Sequence, residues 1–171
     1  MTAQPSTSPA GPADAQPAGL KTRQEDQDRT LRALHRLERN MSAAAAGRAK
    51  PWHEHALAAL AAFDEATADE QRNANQPDSL LSDIARMHSR LRPRVNGIRA
   101  QYVQIRETLS TLRLELTQAD PDELDVTDLR RRADRLASAL RYQRARESDL
   151  IYEAYYDTYD TDIEADIAGT T

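Results

Sequence analysis

The chain contains no cysteine, and only two of its 23 basic side chains, Lys21 and Lys50, are lysines. Without thiols there is no disulfide framework, no thiolate metal site and no cysteine nucleophile. There is one tryptophan, one phenylalanine and five glycines, and none of the glycines falls in a phosphate-cradling loop. No apolar run is long enough for a signal peptide or a membrane span, so a soluble, cytoplasmic protein is expected. No two-residue alternation points to strands. Net charge is -5, which gives no ground for nucleic-acid binding despite 21 arginines. With 171 residues, a mean hydropathy of -0.78 and 30% charged residues, the chain suits one domain whose apolar residues are gathered on helix faces.

Those faces can be read directly. Val95, Ile98, Tyr102, Ile105, Leu109, Leu112 and Leu116 step by three and four, as do Leu129, Ala133, Leu136, Leu140, Gln143, Glu147, Leu150 and Ala154. Two further ladders, Thr30, Leu34, Leu37, Met41, Ala44 and Trp52, Ala56, Ala59, Phe63, Ala66, Glu70, complete a set of four coiled-coil-like heptad faces. Punctuation sets their limits. Residues 1–19 hold four of the eight prolines and almost nothing to bury, so a disordered tail is expected there. Helix one runs from about Leu20 to Ala46 and stops at Gly47; Pro51 suits the first turn of helix two. Asp78 or Ser79 caps a short connector helix, Pro93 opens helix three, and Asp125 or Thr127 caps helix four, which runs to about Tyr156. The expected fold is all-α: an antiparallel up-down-up-down four-helix bundle over residues 20–163, with the connector helix between helices two and three and a flexible C-terminus at 164–171.

Polar residues interrupt these faces. Counting outward from the two turns places Tyr102 opposite Gln143, and Glu70 opposite the inward position one heptad before Leu34, which is Gln27. Gln27, Glu70, Tyr102, Gln143 and Glu147 are therefore expected in one polar zone drawn from all four helices. A buried carboxylate without a partner costs several kcal/mol, about the worth of a whole large core side chain, so the zone needs a chemical reason.

The stretch LRYQRARESDLIYEAY, residues 140–155, resembles the last helix of the hemerythrin-like (HHE cation-binding) domains. PDSLLSDI at 77–84, RPRVNGIRAQY at 92–102 and GRAKPW at 47–52 are similar to bacterial members of that family. The resemblance covers about residues 23–163 and implies an up-down-up-down bundle with an iron site of histidines and carboxylates in its core. Carried across position by position, the last-helix histidine falls on Gln143, the third-helix histidine on Tyr102, and those of helices one and two on Gln27 and Glu70. The carboxylate four residues after Gln143 is present as Glu147. Iron pairs of this type require several imidazoles. The resemblance therefore implies a metal centre lost or heavily altered, with Glu70 and Glu147 as the only strong ligands of any residual site and no cofactor expected.

The four histidines do not supply the missing ligands. His53 and His55 lie two apart at the start of helix two, are expected to be exposed, and stand about four turns from the polar zone; His35 and His88 are expected at the rim. No nucleophile-elbow sequence and no Glu-x-x-His motif supports an enzyme. The last helix carries seven arginines between Arg130 and Arg146, then eight acids and no base from Glu147 to Asp166, interleaved with tyrosines. That end is expected to cover the core, the alternative being a docking surface for an unidentified protein partner; oligomeric state is open. Two function classes follow: a non-enzymatic interaction or regulatory module with a degenerate metal site, or an iron-binding, oxygen- or redox-sensing protein using an altered carboxylate-rich site.

Overall fold

The computed structural model describes residues 18–43 and 48–155. Ala44, Gly47, almost all of the expected N-terminal tail and the chain beyond Tyr155 lie outside the described residues. The described chain is all-helical: α1 Ala18–Ser42, α2 Ala49–Ala74, α3 Leu80–Met87, a single 3-10 turn Ser89–Leu91, α4 Arg92–Gln118 and α5 Val126–Tyr155. No helix among them is long and apolar enough to cross a membrane.

Local chemistry sets the ends where the sequence placed them. Ser79 caps α3, its hydroxyl accepting the Ser82 amide at 3.2 Å. Asp125 does the same for α5 through the Asp128 amide at 3.0 Å. Pro93 stands in the first turn of α4, where its missing N–H is no loss. Helix one differs at both ends: α1 begins at Ala18 rather than Leu20 and ends at Ser42 rather than Ala46, whereas α2 begins at Ala49 and holds Pro51 in its first turn as expected. Gly19, assigned to the tail by its neighbours, is helical and packed. A Cβ there would lie 3.2 Å from the backbone nitrogen of Leu80, so the close approach of α1 to the start of α3 depends on glycine.

Helix α1 packs on α2 and α5, and α4 packs on the same two helices. Every described inward position of the four ladders is buried. Side-chain contacts step in opposite chain directions across each pair: Asn73 meets Asp26 while Asp69 meets Arg29. Across α2 and α4, Asp64 meets Arg106 and Ala74 meets Arg99. Across α4 and α5, Glu115 meets Arg132 and Gln101 meets Arg146.

The core divides in two. One apolar cluster contains Leu34, Leu37, Phe63, Ile105, Leu109, Leu136 and Leu140 among others. The second, closed by α3, contains Leu80, Leu81, Ile84, Leu91, Val95, Ile98, Leu150 and the ring of Tyr102. Each fully buried leucine contributes about 1.5–3 kcal/mol relative to exposure, so these clusters carry the fold. Between them lies a polar layer.

Candidate functional site

Four helices build this layer: Arg23 and Thr30 from α1, Glu70 from α2, Tyr102 from α4, and Glu147 and Arg144 from α5. Arg23 of α1 reaches across to α5, where its Nε and Nη2 donate to the two carboxylate oxygens of Glu147. The same Nη2 donates to the Tyr102 hydroxyl of α4 and stands 2.9 Å from Oε1 of Glu70 in α2. Tyr102 in turn donates to Oε1 of Glu70. Arg144 of α5 closes on Glu70 with both terminal nitrogens, Nη2 lying 2.6 Å from Oε2, and Thr30 of α1 donates to that oxygen at 2.5 Å. Glu70 and Glu147 are both fully buried, and Arg23 and Tyr102 nearly so.

Two carboxylates and two guanidiniums sum to zero charge. Removing such ions from water costs several kcal/mol each, recovered only through close pairing and saturated hydrogen bonding. Burial alone would push the Glu70 carboxyl up, but the Arg144 hydrogen bond, the charges of Arg23 and Arg144 and the Thr30 bond outweigh it and hold Glu70 below its usual value. For Arg23, burial opposes ionisation, whereas the charge of Glu147 and its hydrogen bond hold the guanidinium above its ordinary range. Burial and then the Glu147 charge push the Tyr102 phenol well up, against the pull of Arg23. The phenol therefore stays protonated and serves as a donor. Such a layer can position helices and hold register; at neutral pH it holds no free base or nucleophile.

The structure brings Glu70, Tyr102 and Glu147 together as the ladders implied. Gln143 is buried beside them, yet its amide nitrogen and oxygen have no partner among the described residues, as is also true of Arg23 Nη1. Gln27 is only half-buried and makes no bond to the layer. The helix-one member is Arg23, because the inward positions of α1 are Arg23, Asp26, Thr30, Leu34, Leu37 and Met41. Counting a heptad back from Thr30 gives Arg23, whereas counting from Leu34 gives Gln27; Leu34 stands toward one edge of the inward stripe, and the drift of a 3.6-residue helix over a seven-residue step carries Gln27 off it. Arg144, next to the inward Gln143, was also not foreseen. One histidine differs from expectation: His53 is buried, with Nε2 2.6 Å from the Leu116 carbonyl oxygen near the end of α4, where unpaired carbonyls need donors. His55 and His35 are exposed, and His88 ends α3.

The donor set does not fit the iron that the hemerythrin-like resemblance implies. Among the described residues no group of three or more histidine, cysteine, aspartate or glutamate side chains is placed to hold a metal ion. Glu70 and Glu147 direct their oxygens at guanidiniums, and a dication entering between them would meet two fixed positive charges. No protein-family model, curated protein or solved structure matches the chain.

Proposed function

We propose that this chain is a non-enzymatic interaction or regulatory module of hemerythrin-like ancestry, in which ion pairs stand where the family holds iron. Its fold in this reading is the antiparallel up-down-up-down bundle of α1, α2, α4 and α5, with α3 as the connector. The opposed stepping of contacts across neighbouring helices supports that topology. The single observation that carries the functional reading is the guanidinium of Arg23, set between Glu70 and Glu147 at the level of the family's ligand positions. A cation supplied by the protein itself takes the place of an exchangeable one, which leaves the molecule's outer surface for recognition.

The test is iron content. Protein purified from iron-supplemented cells is expected to hold well under one iron per chain, without the near-ultraviolet absorption of an oxo-bridged pair. A stoichiometric di-iron spectrum would overturn the reading.

A further inference from the structure

Beyond the ion-pair layer, at the bundle end closed by α3, a cavity of about 350 Å³ opens between α1, the end of α2 and the start of α3. Its most telling wall is Asp26. This carboxylate is only 4% exposed, and among the described residues its sole partner is the Asn73 side-chain amide, which donates to Oδ2 at 2.8 Å. The other oxygen has no partner among the described residues and, unlike the amide of Gln143, is not sealed from solvent. A carboxylate buried to this degree ordinarily faces a cation. Here none of the described side chains supplies one.

We propose that this cavity binds a small organic cation, a primary ammonium on a short aliphatic stem, with the ammonium on Asp26. Three observations select this chemistry. A second carboxylate, Asp78, lines the same cavity, while the charge of Arg23, the only cation among the described residues of its lining, is already paired with Glu147 and Glu70, although its Nη1 has no partner among the described residues. The net charge facing a ligand is therefore negative. The starts of α1 and α3 and the end of α2 all border the space, two positive dipole ends of about half a charge each against one negative, and the two full charges of Asp26 and Asp78 outweigh them. Ala74, Leu80 and Leu81 offer apolar wall for a few methylenes, which favours an alkylammonium over a hydrated metal ion. The assignment does not rest on hemerythrin-like ancestry.

The full chain is titrated with n-butylammonium chloride, with sodium chloride at matched ionic strength and sodium butyrate as controls, by thermal melting and by amide NMR shifts. Butylammonium is expected to raise the melting temperature saturably and to shift the amides of Gly19, Asp26, Ser79 and Leu81. Asp26→Asn keeps an oxygen for Asn73 but removes the charge, and is expected to weaken binding by about tenfold, the worth of one charge-assisted hydrogen bond. Asp78→Asn, at an exposed position that cannot threaten folding, should weaken it severalfold. An equal effect of sodium chloride, stronger binding of butyrate, shifts centred elsewhere, or unchanged affinity in Asp78→Asn would each overturn the assignment.

Discussion

Leu109 and Tyr102 stand two turns apart on the same face of α4, both buried, yet they belong to regions held by different physics. Leu109 belongs to the apolar cluster that includes Leu34, Phe63, Leu112 and Leu140, and attraction there is non-directional. Around Tyr102, Arg23 and two glutamates meet through a fixed set of donors and acceptors. A cavity in the apolar half leaves survivors touching each other less well. A gap in the polar layer leaves ions without counter-ions, so equal burial predicts unequal tolerance.

The sharpest break in that comparison is Arg23→Ala. It strands Glu147 and removes one of two cations from Glu70, so a loss of about 3–5 kcal/mol is expected in urea unfolding. A near-neutral result would mean that the layer admits water freely. Leu109→Ala should lose about 2–5 kcal/mol by cavity formation, with a graded, still cooperative transition.

Acid sharpens the contrast further. Because Glu70 has a lowered value in the folded state, its contribution is present above its ordinary 4.5 and is lost as pH falls through the folded value. Melting temperature should therefore decline in acid, and less steeply in Glu70→Gln. Alkali acts through Tyr102: with its phenol raised above 10, stability should fall as pH climbs beyond that point, and Tyr102→Phe should blunt the fall. Smallest of all, Arg132→Ala removes a half-exposed pair with Glu115 and should change stability by no more than about 0.5 kcal/mol. An effect comparable to Arg23→Ala would erase the distinction between buried and surface ion pairs.

Periodicity made the helices legible, since a face repeating by three and four specifies its inward side without reference to anything distant. Val95 through Leu116 and Leu129 through Ala154 were readable for that reason, as were the Ser79 and Asp125 caps. Arg23 was not. Near the start of α1 it is surrounded by Lys21, Gln24 and Glu25, and its burial becomes favourable only through Glu147, 124 residues away. His53 was hidden similarly, because its partner is a backbone carbonyl that only becomes available where α4 ends. Asp26 continues the Thr30 ladder by a step of four, but an acid among acids looks solvated until the end of α2 closes over it.

The pairing of Arg23 with Glu147 also dictates an order of events during synthesis. Among the described helices α1 leaves the ribosome first and α5 last, so the α1 guanidinium has no Glu147 to meet until nearly the whole bundle has emerged. Until then Glu70 of α2 is the only buried carboxylate within its reach, and the edge of the guanidinium that Glu147 will occupy must remain hydrated, which keeps that end of α1 from closing fully with α2 alone. The longest-range ion pair among the described residues thus works as a completion check: a ribosome-bound fragment ending before α5 should show the start of α1 open to proteases, and the full chain should show it closed.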